Sequence, residues 1–473
     1  MKLLEIWDFV LSPIYIFIIY QIAKARGIRK QKTEPYYKYF APGILAKMLG
    51  GVCLCLIYTL YYGGGDTNAY HDASVCMNKL FFRNNACFWR LTFGALPYLE
   101  YSNFDASTGF PDYWRDVQSW QVIRWTCFFE FLGFRCYILT TIVLAAFTYF
   151  GIWRLYKVFM YYFPELDRQI AIAILFVPSV LFWGSGILKD TYTLSAAGLL
   201  TYCFHQVFIL KKNRARGIFM AILASSLILK IKPYIFLGLV PGALLWISSQ
   251  RIKDIKSPMV KILIAPVIFG FSIVLASVGF GQIKGDLGQY SSVDNILQKA
   301  TATQKDLKQD YNKGNSFDIG EFDASISGII KKLPVAIFAG LYRPTLLDVR
   351  NIVMLLAALE NSVMLFILIR TVYRSGIRHF YSMVAGEPIV FFSLIFSAFF
   401  AFSVGLTTSN FGSLVRYKIP AVPFYFAAML IIQDKEKKTE NKFKTSTRKG
   451  NFERDREKKL AESLKKFNTN EVS

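Results

Sequence analysis

Histidine is almost missing from this chain, with His71, His205 and His379 scattered along 473 residues. Clustered imidazoles build most transition-metal sites, so no metal centre is expected. The seven cysteines follow no ligand spacing either. Cys53, Cys55 and Cys203 fall inside apolar blocks, whereas Cys76, Cys87, Cys127 and Cys136 lie on or near the expected outer face. Cys76 and Cys87 could pair as a disulfide; the alternative is that all seven stay as free thiols. The first apolar block runs into a basic stretch and a second block with no small-residue cleavage site, so no removable signal peptide is expected. No repeat of fixed period is present. The absence of an inverted repeat in the hydropathy weighs against a transporter.

What the chain does have is apolar surface and positive charge. Hydrophobic residues make up 54% and aromatics 16%, and the mean hydropathy is +0.35. They come in blocks of about 14 to 22 with few charges, and a helix crossing ~30 Å of hydrocarbon needs about 20 apolar residues. The net charge of +23 would suit a nucleic-acid partner if the cations formed one patch. Instead most of them sit in short loops beside apolar blocks, where they fix orientation, or in the tail, so no nucleic-acid partner is expected.

The reading is all-α: a polytopic helical membrane protein of about eleven transmembrane helices, with interfacial helices in outer loops. Residues 1–432 form the membrane domain, with outer segments 62–135 and 281–349, and residues 433–473 form a basic cytoplasmic tail. The tail carries 13 Lys+Arg and 8 Asp+Glu, a composition that stays disordered or partly helical in solution. Crossings are expected over 6–23, 41–61, 136–153, 170–183, 191–210, 218–232, 234–247, 259–280, 352–369, 389–406 and 411–432. Pro178 kinks or breaks the fourth of these. The basic loop from Lys24 to Lys38 should be cytoplasmic, which puts the N-terminus outside in the cytoplasmic membrane.

This topology sorts the polar residues. Asp66, Asp72, Lys189, Asp190, Lys230, Lys232, Arg343, Arg416 and Lys418 collect near span ends on the outer side. Glu360 lies halfway along an apolar span, where a charge costs ~2.5–3.5 kcal/mol and normally faces a cavity or a partner. It is therefore a candidate catalytic carboxylate, the alternative being a buried pair with Arg or Lys that only packs helices. Asp66 follows Gly63-Gly64-Gly65, which permit a sharp bend and close approach of a ligand. A carboxylate there can act as a general base on a hydroxyl, with Tyr70 on the same helical face, or it can simply cap a helix. Gly184-Ser185-Gly186 breaks a span just before Lys189 and Asp190, exposing backbone N–H groups suited to an anion, or making an ordinary turn. Lys230 and Lys232 add two cations, unless they merely snorkel, and Arg343 and Arg416 add more. Together these groups form a candidate site for an anionic lipid headgroup.

Gly65-Asp66 with Tyr70 resembles the first outer-loop motif of bacterial exopolysaccharide and O-antigen polymerases. It also resembles the outer-loop aspartate of GT-C class glycosyltransferases, which use polyprenyl-phosphate-linked sugars. Asn410-Phe411-Gly412 with Arg416-Tyr417 and Pro420 is similar to a segment near the last spans of such enzymes, as are Trp183 to Asp190 and Lys232-Pro233-Tyr234. The resemblance covers the membrane body and not the tail. No second Asp or Glu completes a strict paired motif after Asp66, and the helices preceding that loop fit the polymerase pattern better. The resemblance implies sugar transfer at the outer face of the membrane from a lipid-linked sugar, without a cofactor. Asp66 and Glu360 would be catalytic, and Tyr70, Lys189, Asp190, Lys230, Lys232, Arg343 and Arg416 would bind substrate. A flippase of lipid-linked sugars, or a membrane scaffold, is the alternative.

The orientation is testable by reporter fusion. A periplasm-active reporter should be active after Asp190 and silent after Arg214; the reverse pattern would overturn the topology.

Overall fold

The computed structural model describes residues 4–94, 97–249, 317, 320, 326–408 and 410–438. Among these the chain is helical and forms no β-strand. Five helical segments are long and apolar enough to cross a membrane: Ile6–Gln31, Pro35–Tyr61, Tyr137–Tyr162, Ile352–Ser375 and Pro388–Thr407. A sixth would be the pair Phe411–Tyr417 and Val422–Lys438, which is bent by 68°.

The order of elements is α1 (Ile6–Gln31), α2 (Phe40–Leu56), α3 (Asp66–Arg83), α4 (Asn85–Phe93), α5 (Val117–Gly133) and α6 (Tyr137–Tyr162). Next come α7 (Asp167–Leu175), α8 (Pro178–Trp183), α9 (Lys189–Phe204), α10 (Arg214–Ile231) and α11 (Pro233–Ser249). After residues outside the described set come α12 (Ile326–Tyr342), α13 (Ile352–Ser375), α14 (Ile377–Gly386), α15 (Pro388–Thr407) and α16 (Phe411–Tyr417). The last is α17 (Val422–Lys438).

About eleven transmembrane helices were expected from apolar length, the fourth kinked or broken at Pro178; among the described residues five, or six with the bent pair, are long and apolar enough to cross. The segment 170–183 is two helices, α7 and α8, parted at Phe176-Val177 because Pro178 carries no N–H and disfavours a helical residue before it. The α9 helix stops at Phe204 and continues as one π turn, His205–Ile209. The α10 helix carries Arg214, Arg216 and Lys230 within its 18 residues. The expected last crossing, 411–432, is the bent pair α16 and α17. The expected crossing 259–280 and most of the outer segment 281–349 lie outside the described residues. The α17 helix runs on past residue 433 to Lys438.

Lipid is the only solvent that suits the outer faces of α1 and α13. The first exposes Ile6, Phe9, Ile14, Phe17 and Ile22, and the second Ile352, Leu356, Val363, Phe366 and Ile369. Such contiguous apolar faces are rare on a soluble monomer. Inside, small residues let backbones approach closely, as they do where helices meet without a hydrophobic driving force. A Cβ on Gly151 of α6 would lie 2.1 Å from the Ser195 carbonyl oxygen of α9. One on Gly340 of α12 would lie 2.0 Å from the Ala401 carbonyl oxygen of α15.

The 62–135 segment, expected to lie at the interface, forms a packed helical layer. In α5, Trp120, Val122, Ile123 and Cys127 are fully buried. The buried Glu130 of α5 joins three helices: Ser74 Oγ of α3 donates to it at 2.5 Å and Thr140 Oγ1 of α6 at 2.8 Å, with His71 Nδ1 at 3.1 Å. Cys76 and Cys87 are both free thiols.

The ion pairs fall at two ends. Around the basic loop lie Lys157–Glu34 (2.8 Å), Lys38–Asp167 (2.6 Å) and Lys438–Glu165 (3.3 Å), which gather the ends of α1, α6 and α17. The opposite end gathers the start of α3, the start of α9, the end of α10 and the end of α16.

Replacing Gly151 by Leu should force α6 and α9 apart. Overpacking a tight contact costs about 1–3 kcal/mol, read as a lowered melting temperature of the detergent-solubilised protein. An unchanged melt would mean that the two backbones do not meet this closely.

Candidate functional site

The Gly63-Gly64-Gly65 turn has φ values of +70°, +135° and +148°, a run that only glycine adopts without strain. It carries the chain from the π turn that ends the second span directly into α3. Gly65 is the N-cap and Asp66 the first helical residue, so the expected capping role falls to the glycine. The Asp66 carboxylate is left to point away from its own helix.

Asp66 Oδ2 accepts from Arg416 Nη1 at 2.7 Å, and Asp66 Oδ1 accepts from Tyr113 Oη at 2.9 Å. Arg416 also donates from Nε to Asp190 Oδ2 at 2.9 Å, and Asp190 Oδ1 accepts from Lys232 Nζ at 2.5 Å. One chain of charge therefore joins residues 66, 416, 190 and 232, drawn from four segments remote in sequence. Exposure is lowest in its interior and rises toward Asp66: the Asp190 side chain is 0% exposed, Lys232 5%, Arg416 11% and Asp66 40%. Asp66 is the open end, and Asp190 is sealed between Lys232 and Arg416.

Local structure explains each position. The break at 184–188 ends α8 and delivers Asp190 into the first turn of α9, where the helix dipole favours a carboxylate. Backbone groups freed by that break are satisfied in place. Lys47 of α2, buried, donates from Nζ to the Gly184 carbonyl, and Thr191 Oγ1 donates to the Gly186 carbonyl at 2.6 Å. Lys232 stands at the end of α10 because Pro233 begins a new helix. Asn410 caps α16, accepting from Gly412 N at 2.9 Å and Ser413 N at 3.2 Å, and so orients the short helix that bears Arg416. Lys418, buried just beyond, donates to Asn361 Oδ1 at 2.5 Å and to the Leu341 carbonyl at 3.0 Å.

A second arm borders the first. Asp116 caps α5 by accepting from Gln118 N at 3.0 Å, and it takes Lys189 Nζ at 3.1 Å and Ser119 Oγ. Ser119 Oγ also meets Tyr70 Oη at 3.1 Å, and the Tyr70 ring lies 5.0 Å from that of Tyr113. Burial raises the Asp66 carboxyl, but the charge and hydrogen bond of Arg416 outweigh it and hold Asp66 below the usual carboxylate range. Burial likewise raises Asp116, and Lys189 overrides it in the same sense.

Asp66, Asp190, Lys232 and Arg416 thus share one network, with Tyr70 and Lys189 on its border. The other three stand apart. Glu360 of α13 accepts from Ser179 N at 2.9 Å and from Ser179 Oγ at 2.5 Å, bracing the start of α8 rather than joining Asp66. Arg343 is held by Asp348, with Nη2–Oδ1 at 2.6 Å and Nε–Oδ2 at 3.1 Å. Lys230 is exposed on α10. Sequence reasoning missed Tyr113, Asp116, Ser119 and Lys47. Asp116 immediately before an apolar helix was a capping signal, and Lys47, a charge inside an expected span, gave the same kind of signal as Glu360; no sequence signal marked Tyr113 or Ser119.

Comparison with protein-family models, with curated proteins and with solved structures returns no match.

The two aspartates should separate on mutation. Asp190→Asn strips a sealed carboxylate from two cations and should cost about 3–5 kcal/mol. Asp66→Asn, at the open end, should cost no more than about 1 kcal/mol. Melting temperatures of both variants check this, and equal losses would mean that Asp66 is as structural as Asp190.

Proposed function

We propose that this chain is a membrane glycosyltransferase or polysaccharide polymerase that takes polyprenyl-(pyro)phosphate-linked sugars at the outer face of the cytoplasmic membrane. One observation carries the reading. Arg416 is shared by a sealed carboxylate and an open one, and its Nη2 makes no hydrogen bond among the described residues. A guanidinium so placed has donors left for a planar, bidentate grip on phosphate oxygens.

The chemistry follows from charge competition. A phosphate arriving at Arg416 displaces Asp66 Oδ2, while Asp190 and Lys232 keep the guanidinium in position. Without its cation, the half-buried Asp66 carboxylate becomes more basic. The acceptor hydroxyl oxygen then attacks the anomeric carbon and its proton passes to Asp66. The sugar–phosphate C–O bond breaks, and the leaving lipid phosphate takes the electron pair. Arg416 stabilises that developing charge in a site shielded from water. Lys189 borders the network, where a phosphate would extend, while Tyr70 is buried against Tyr113.

Arg416→Ala should abolish turnover of a polyprenyl-linked sugar, and Arg416→Lys should recover only part of it, because an ammonium does not reproduce the fork. Asp66→Asn should lose ~10²–10⁴-fold while its melting temperature stays close to wild type. The measurement is product formation from purified lipid-linked sugar at matched protein levels. Full activity in Arg416→Lys together with Asp66→Asn would overturn the reading. Lipid-linked sugar moved across vesicles without bond formation would mark a flippase instead.

A further inference from the structure

The end of the molecule opposite the Asp66 network holds a second cationic feature. Between α6, α9 and α10 lies a cavity of about 140 Å³, near the size (~150 Å³) that takes a benzene-sized ligand. Its polar lining is Arg154, Arg216, Gln206, Asn213 and Tyr202. The Arg154 guanidinium lies 5.8 Å from the Tyr202 ring centroid. Neither Arg154 nor Arg216 pairs with a carboxylate among the described residues, whereas every cation of the Asp66 network does. Among the described residues no carboxylate lines the cavity. Two uncompensated guanidinium groups and two side-chain amides converging on one space favour an anion with several oxygens.

The surroundings show what carries that anion. Lys211, Lys212 and Arg214 flank the cavity in sequence. Gly217 lines it where a Cβ would come within 2.5 Å of Val207, so α10 seats closely against the π turn after α9. Directly after Gly217, α10 turns Ile218, Phe219 and Ile222 outward, each at least 50% exposed, and Phe208 is 51% exposed on the π turn. Cations inside and bare apolar side chains beside them match a phosphate joined to acyl chains. A free phosphate ion would need only the first.

We propose that this cavity binds the phosphate of an anionic phospholipid from the leaflet facing the basic loops. Arg154 and Arg216 would grip the phosphodiester, Gln206 and Asn213 would donate to its remaining oxygens, and the acyl chains would cover Phe208 and the outer face of α10. This site is independent of the Asp66 network and of any transfer reaction there.

The test uses the full chain, delipidated in neutral detergent, with melting followed by intrinsic fluorescence. Phosphatidylglycerol should raise the melting temperature by several degrees and phosphatidylcholine should not, since a ligand that binds only the folded state stabilises by mass action. Arg154→Gln/Arg216→Gln should lose most of that shift, and Arg154→Lys/Arg216→Lys should keep part of it. Should the double variant fail to fold, Arg216→Gln alone, at an exposed position, should weaken phosphatidylglycerol retention in native mass spectrometry about tenfold. Inorganic phosphate giving the same shift would keep the phosphate site and overturn the lipid as its source. An equal shift with phosphatidylcholine, or an undiminished one in Arg216→Gln and the double variant, would overturn the proposal.

Discussion

The sealed carboxylate of Asp190 is the constraint on which this end of the protein depends. An ionised group with no exposed surface, among helices packed for lipid, is tolerable only with strong partners. It takes two, Lys232 at 2.5 Å and Arg416 at 2.9 Å. Those partners come from the end of α10 and from α16, so satisfying one charge fixes where three remote segments meet. Arg416 then reaches past Asp190 to Asp66 and brings in the start of α3.

The helix breaks and the charges belong together for the same reason. Breaking a helix in an apolar medium frees backbone groups that water cannot satisfy. Lys47 answers for Gly184, Thr191 for Gly186, and Lys418 for Leu341. The breaks at 184–188, at 232–233 and at 418–421 in turn let charged side chains approach one another, which continuous helices would have kept on separate lipid-facing stripes. Glu360 belongs to this bracing: its carboxylate holds Ser179 at the start of α8 and so supports the break that positions Asp190.

The two ends differ in how their charge is balanced. In the network, Lys232, Arg416 and Lys189 face Asp190, Asp66 and Asp116, so an arriving anion competes with carboxylates already present. Such competition suits a site that must bind, react and release. At the basic end, Arg154 and Arg216 line their cavity without a carboxylate among the described residues, a state that suits resident binding.

Much of this was legible in the residues. Apolar length identified a helical membrane protein, and the Lys and Arg asymmetry put the segments bearing Asp66, Asp190, Lys232 and Arg416 at one end, where the structure brings them into contact. Both signals are local: burial in lipid acts on each block, and orientation acts on each loop. Which charges touch was beyond that logic. Glu360 read as a site residue because an ionised group in hydrocarbon needs a partner, and Arg343 because it is one of the cations near outer span ends; sequence does not say which groups meet, and Ser179 and Asp348 hold them. Tyr113 and Asp116 lay in a segment read only as interfacial, and Lys47, a charge inside a span like Glu360, was passed over. Where spans bend was only partly legible, at Pro178, because apolar length measures what lipid allows, whereas the other bends depend on side chains that donate to the freed carbonyls. The sequence by itself determined the solvent, the helices and the end at which charge collects, since those follow from each segment alone. Tertiary structure alone decided which carboxylate is sealed and which is open, because that depends on the partners that distant segments bring to it.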